Sequence, residues 1–176
     1  FVVEKIGPYH NARFNELSKV KELKIFVLET NNISKTYLWE EIKNYNYEIC
    51  KLKKIEKGSQ KFSSIDDQID DILLQIQPNF IFLSGWYEKV HYYIIYKSFF
   101  KKIPLTILSD SRYRDYRRVF YKELIKKLLL RNFSSGLVAG RESRDYLLRL
   151  NFKEKDIFTP YDVVDNDYFS HPLKKN

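Results

Sequence analysis

Two short stretches carry side chains of the kinds that bind hydroxyls and move protons. In Gly7-Pro8-Tyr9-His10-Asn11-Ala12-Arg13 an imidazole, a carboxamide and a guanidinium sit close together in sequence. In Ser109-Asp110-Ser111-Arg112 a carboxylate lies between two hydroxyls, with Arg114, Arg117 and Arg118 close behind. Nearby guanidiniums favour the ionised form of Asp110, which suits accepting a proton or offsetting positive charge better than donating one. The plainer alternatives are that His10 only bonds the backbone of its turn, and that Asp110 caps a helix or pairs with Arg114. Trp86 and Tyr87, directly after Gly85, offer aromatic faces against which a ring-shaped ligand can stack.

Something must hold these residues, and the chain alternates apolar runs with helical patterns. Phe1–Ile6, Lys24–Leu28, Tyr47–Leu52, Phe80–Ser84, Leu105–Ser109 and Gly136–Ala139 read as strands. Most are continuous apolar runs, the pattern of strands covered on both faces of a parallel sheet. Ser64–Gln77 has Ile65, Ile69, Ile72, Leu73 and Ile76 at helical spacing behind a Ser64/Asp67 capping pair. Its Asp66-Asp67 and Asp70-Asp71 pairs read as a solvated face. Glu88–Lys102, Tyr116–Asn132 and Arg141–Leu150 are further helices, and residues 30–46, with Tyr37, Leu38, Trp39 and Ile42, predict another. Glu88–Lys102 is apolar nearly all round, which predicts cover on both sides, with His91 a packed core residue. Tyr116–Asn132 predicts a helix laid on the sheet through Val119, Phe120, Leu124 and Leu128, with Arg118, Lys122, Lys126 and Lys127 outward.

The expected fold is therefore α/β: a single Rossmann-like, doubly wound parallel sheet over residues 1–170 with helices on both faces. In such sheets ligands gather beyond the carboxyl ends of the strands. Gly7, Gly85 and Gly140, three of the five glycines, fall at those junctions. Glycine there permits a sharp turn and a close approach of ligand to backbone. The loop after the first strand lacks G-x-G-x-x-G, and nothing matches G-x-x-x-x-G-K-[ST], so dinucleotide and P-loop chemistry are disfavoured. The lone cysteine, Cys50, excludes an internal disulfide and any multi-cysteine metal site. A formal charge of +8 invites an anionic partner, either nucleic acid or an acidic membrane surface. Abundant Lys, Asn, Ile and Tyr give the same charge by compositional drift. No apolar run is long enough to span a bilayer and no secretory signal opens the chain, so a cytoplasmic protein is expected.

The motifs together resemble the N-terminal domain of GT-B fold, retaining, family 4-type bacterial glycosyltransferases. "GPYHNARFNEL" resembles their first loop and helix, and "PLTILSDSRYRDYRR" their fifth strand and its polar end. Many members have His at that end, where this chain has Ser109-Asp110. The tail "DYLLRLNF" resembles their Tyr-Leu…Leu-Gly segment, with Asn151 replacing the Gly. It leads into Pro160–Phe169, which fills the place of the crossover to a second domain. The resemblance implies an enzyme of polysaccharide or glycoconjugate synthesis. It would transfer a sugar from a nucleotide-sugar donor to a saccharide or lipid-linked acceptor, with no cofactor or metal. This chain would be the acceptor-binding half, partnered by an absent C-terminal donor-binding domain and inactive alone. The implied cleft is Gly7, Tyr9, His10, Asn11, Arg13, Gly85, Trp86, Ser109, Ser111, Arg112 and Gly140, with Asp110 catalytic. Tyr161, Asp162, Asp165 and Asn166 would form the hinge, within a crossover spanning 160–176. Contact with an anionic inner membrane face fits a lipid-linked acceptor. The alternative is a basic nucleic-acid-binding module without catalytic activity, using the 112–131 region. It lacks any helix-turn-helix, RNA-recognition or zinc signature.

Overall fold

The computed structural model describes residues 1–30, 44–52, 64–166 and 170. The helix expected around Tyr37–Ile42, and Tyr168 and Phe169 of the crossover, lie outside the described residues.

Among the described residues seven strands form one parallel sheet: β1 (Val2–Val3), β2 (Phe26–Glu29), β3 (Glu48–Lys51), β4 (Ile81–Ser84), β5 (Leu105–Ser109), β6 (Ser135–Val138) and β7 (Ile157–Phe158). Their order is β3-β2-β1-β4-β5-β6-β7 and every pairing is parallel. The helices are α1 (Pro8–Leu17), α2 (Ile65–Ile76), α3 (Lys89–Lys101), α4 (Phe120–Leu130) and α5 (Arg141–Arg149). The chain runs outward from β1 through β2 to β3, then crosses back to β4 and continues the other way. This is the Rossmann-like, doubly wound α/β arrangement, and its switch point falls between β1 and β4. β1 is shorter than the apolar run Phe1–Ile6, and β7 is an added strand.

Each sheet face has its own core. Phe14 of α1 packs with Val3, Ile6, Ile25, Val27 and Tyr47 on one face. On the other, Ile69 and Leu73 of α2, Val90 and Ile94 of α3 and Leu147 of α5 join Leu83, Ile107 and Val138. Burying each such aliphatic side chain contributes about 1.5–3 kcal/mol. Gly136 on β6 suits this packing: a Cβ there would lie 2.5 Å from Leu147 Cδ1, so a side chain would displace that fully buried leucine side chain.

The Ser64/Asp67 pair caps α2 reciprocally, with Ser64 N–H donating to Asp67 (2.9 Å) and Asp67 N–H to Ser64 Oγ (3.2 Å). Two of the four α2 aspartates are not simply solvated. Lys97 of α3 bridges Asp66 (3.2 Å) and Asp70 (2.6 Å), tying the two helices together.

Two helix orientations differ from the sequence expectation. On α3, Val90, Ile94, Ile95 and Ser98 face the core, while Tyr92, Tyr93, Tyr96, Phe99 and Phe100 are exposed. The helix is covered on one side only. On α4 the apolar stripe points away from the sheet, with Phe120 86% and Ile125 60% exposed and Leu124 and Leu128 beside them. Polar groups take the inward place. The hydroxyl of Tyr146, a residue of α5 only 1% exposed, meets both Glu123 oxygens at 3.1 and 2.9 Å. It also accepts from Arg118 Nη1 and Lys126 Nζ, each at 2.9 Å. Glu123 closes the network with Lys126 (2.8 Å) and Arg118 (3.7 Å). Burial alone would raise the Glu123 pKa, but the bonds from Lys126 and Tyr146 outweigh it and hold the carboxyl below its usual range.

Candidate functional site

α1 starts directly after β1, with Gly7 as its N-cap and Pro8 in the first position, where a missing N–H costs nothing. His10 sits in the first turn and its Nδ1 accepts the Gly7 N–H at 3.2 Å. That bond places the proton of the neutral ring on Nε2. Burial, with Arg13 adding to it, lowers the His10 pKa to about 4. At neutral pH His10 is therefore uncharged, a hydrogen-bond donor through Nε2–H and a weak base whose Nδ1 lone pair is engaged by the Gly7 N–H.

Arg13, one turn further, reaches across the sheet edge. Its Nη1 donates to the Tyr161 carbonyl at 2.7 Å and its Nε to the Tyr9 carbonyl at 3.2 Å. The guanidinium lies 5.3 Å from the Tyr9 ring centroid and 5.2 Å from that of Tyr161. Tyr161 is fixed in turn by its N–H to the Val138 carbonyl (3.2 Å), at the end of β6. Burial raises the Tyr161 pKa to about 12, with the charges of Asp110 and Asp162 adding to the rise. The loop after β1, the loop after β5 and the segment after β7 thus converge on one edge of the sheet.

Asp110 is exposed at the end of β5. Its backbone carbonyl accepts from Ser143 Oγ (2.9 Å), a buried hydroxyl in the first turn of α5 that the sequence reading missed. No hydrogen bond or ion pair engages the Asp110 carboxylate among the described residues. Two of the four arginines expected to hold it ionised, Arg112 and Arg118, are committed elsewhere. Arg112 pairs with Asp115 (2.9 Å), because a 3-10 turn over Tyr113–Asp115 folds the chain back on itself. Arg118 bonds the carbonyls of Arg112 and Tyr113 and the Tyr146 hydroxyl. Ser109 is buried, and its Oγ accepts the Ser111 N–H at 3.3 Å, so it shapes the turn and faces no ligand.

Other expected cleft residues are distributed differently. Asn11 is used structurally: its Oδ1 accepts from Tyr47 (3.0 Å) and its Nδ2 donates to the Asn44 carbonyl (3.2 Å), bracing the entry to β3. Trp86 is half-buried against the core, whereas Tyr87 is the exposed ring. Gly85, with φ +98°, lies in the left-handed region, and a Cβ there would meet the Tyr87 ring at 2.9 Å, so glycine suits the turn into α3. Gly140 is extended and open, and begins α5 without steric need. Of the proposed hinge, Tyr161 is half-buried and clamped, while Asp162, Asp165 and Asn166 are exposed.

The switch point itself carries carboxylates. Thr30 Oγ1 donates to Glu88 Oε2 (3.2 Å) and Tyr87 to Glu4 (3.4 Å). Burial raises the Glu88 pKa, the Thr30 bond partly offsets this, and the charge of Glu4 adds to the rise. Buried Glu29 accepts the Ile6 N–H at 3.0 Å. This crevice disfavours phosphate and suits hydroxyl-bearing or cationic groups. A separate surface hollow lined by Leu23, Ile25, Tyr45 and Tyr47 lies near the starts of β2 and β3, at the opposite edge, and holds none of these groups.

The chain is a Rossmann-like α/β domain with polar side chains gathered at the strand ends. No protein-family model matches the sequence, and comparison with curated proteins finds no significant relative.

Proposed function

We propose that this chain is the acceptor-binding half of a GT-B, family 4-type glycosyltransferase. The enzyme would move a sugar from a nucleotide-sugar donor to a saccharide or lipid-linked acceptor. The observation that carries the reading is the Arg13–Tyr161 contact across 148 residues, with Asp110 electrostatically coupled to the same tyrosine. It brings the first loop, the end of β5 and the crossover segment to one place, as an acceptor cleft beside an interdomain hinge requires.

In this reading His10 donates through Nε2–H to an acceptor oxygen, and Arg13 holds the loop against the crossover. Asp110 takes the proton of the attacking hydroxyl or offsets positive charge on the sugar. Tyr87 is the ring available for stacking. A second domain grips the nucleotide, which fits a crevice here that is lined by carboxylates. The nucleic-acid alternative is weakened because Arg112, Arg118 and Lys126 are engaged within the chain.

The test is sugar transfer by this domain joined to a donor-binding domain. Asp110→Asn is expected to lower kcat by roughly 10²-fold or more, with an unchanged melting temperature. Unchanged turnover in that variant removes Asp110 from the chemistry. Turnover by this chain alone overturns the two-domain assignment.

A further inference from the structure

The outer side of α4 is built in reverse. At about 100° per residue, Tyr121, Leu124, Ile125 and Leu128 share the side directly opposite the buried Leu130 and the inward Glu123 and Lys126. All four are exposed, and Phe120 stands beside them. Lys122 flanks the stripe on one side, and Lys127 and Arg131 on the other. The one acidic residue of the helix, Glu123, is held inward by Lys126 and Arg118. Exposed Tyr116 and Arg117 precede the helix.

α3 lies on the same face of the sheet and turns out Tyr92, Tyr96, Phe99 and Phe100, with Lys101 and Lys102 exposed at its end. Beyond α3, α2 presents aspartates, which limits the apolar, basic surface to α3 and α4. No helix among the described residues is long and apolar enough to cross a membrane.

An apolar stripe between basic flanks, without exposed acid, is the pattern of a helix lying in a bilayer interface. We propose that the outer face of α4, with the aromatic row of α3, docks this domain on an anionic lipid bilayer. The chemistry selects this occupant over two others. In a two-fold pairing of two copies, the lysine flanks would oppose one another. Nucleic acid would meet the cations but leave the aliphatic stripe of Leu124, Ile125 and Leu128 uncovered. α4 begins just beyond Asp110 in sequence, so docking sets the candidate cleft at the membrane surface. The docking itself does not depend on the sugar-transfer reading.

The experiment is co-sedimentation of the full chain with vesicles of mixed phosphatidylglycerol and phosphatidylcholine, and with phosphatidylcholine alone. Binding is expected on the mixed vesicles, with a steep loss as salt rises. Ile125→Glu and Leu128→Glu should each weaken it about tenfold or more, and Lys122→Glu or Lys127→Glu roughly fivefold per charge lost. Ile125, Leu128 and Lys122 are exposed, so the melting temperatures of their variants should hold. Should a glutamate variant unfold, Leu124→Gln carries the same test. Absence of binding to mixed vesicles overturns the proposal, as does undiminished binding by Ile125→Glu. A dimer in sedimentation equilibrium that Ile125→Glu dissolves would assign the face to a second copy, and preferential capture of single-stranded nucleic acid would assign it to a polyanion. Each of these also overturns it. None of these readouts involves sugar transfer, so an inactive enzyme leaves the result standing.

Discussion

α1 and α3 start in the same way on either side of the switch point. Each follows a strand end, and each has a histidine in its first turn whose Nδ1 accepts the N-cap N–H: His10 from Gly7 at 3.2 Å, His91 from Glu88 at 3.3 Å. Burial lowers both pKa values to about 4. The surroundings differ. His91 is 1% exposed, edge-on to Tyr87, and its Nε2 is buried without a partner among the described residues. His10 is only half-buried, its ring set between Tyr9 and Phe14. One local device thus serves as a fully buried joint at β4 and as a partly exposed one at β1. Capping geometry does not separate the two; burial does.

Acid should break both joints, and this is the largest effect expected. In the unfolded chain each imidazole takes up its proton near pH 6.5, and in the fold only near pH 4. Between those values the unfolded state binds more protons, so stability rises with pH. The contribution is fully present above about pH 6.5 and is lost as pH falls to about 4. Each histidine accounts for roughly 3 kcal/mol of that loss. Urea midpoints measured from pH 7.5 to 4 should fall accordingly; a flat profile would mean the rings are charged in the fold.

Substitution should separate the pair. His91→Ala leaves the Glu88 N–H unpaired over a cavity and is expected to cost about 2–4 kcal/mol. His10→Ala, at a wetter site, should cost about 1 kcal/mol. His91→Asn keeps an acceptor for the Glu88 N–H, so it should be milder than His91→Ala while removing half of the acid sensitivity. Equal losses in His10→Ala and His91→Ala would erase the distinction. The glycines ahead of α3 and α5 give a smaller contrast. Gly85→Ala forces a side chain into a left-handed turn against Tyr87 and should cost about 1–2 kcal/mol. Gly140→Ala meets nothing and should be neutral or stabilising by a few tenths. Arg13→Ala should cost about 1 kcal/mol, for its bond to the Tyr161 carbonyl and its two ring contacts. Its sharper readout is a shift of the Tyr161 amide resonance, and an unmoved resonance would deny the clamp.

The strands were legible because parallel strands covered on both faces must be apolar throughout, and Leu105–Ser109 reads so in one line. β7 was not: Ile157 is buried and Phe158 exposed, and two residues make no period. Helix period told that α4 has an apolar and a polar side, but not which one the sheet receives. That was decided by Tyr146, far along the chain, whose buried hydroxyl needs the partners that Glu123, Lys126 and Arg118 supply. Local pairing likewise hid the fate of the arginines near Asp110, since Asp115 captures Arg112 within a turn. Asn11 looked like a ligand for the same reason, its true partners lying beyond β2. The convergence of the first loop with Asp110 was legible from topology alone, because both follow parallel strands and must emerge at the same edge.

The two outermost strands also decide how this molecule behaves when concentrated. Edge strands are templates for ladder growth between molecules. β7 is two residues long and runs straight into Pro160, which has no N–H to offer, so it gives a neighbour almost nothing to pair with. β3 carries Glu48 and Lys51, both engaged in ion pairs, to Lys24 (3.0 Å) and Glu29 (3.6 Å). A flat incoming strand would have to strip or bury those charges. Both rims of the sheet are thus blunted against fibre-like assembly, and crowding at high concentration should give precipitates that disperse on dilution without seeding cross-β growth.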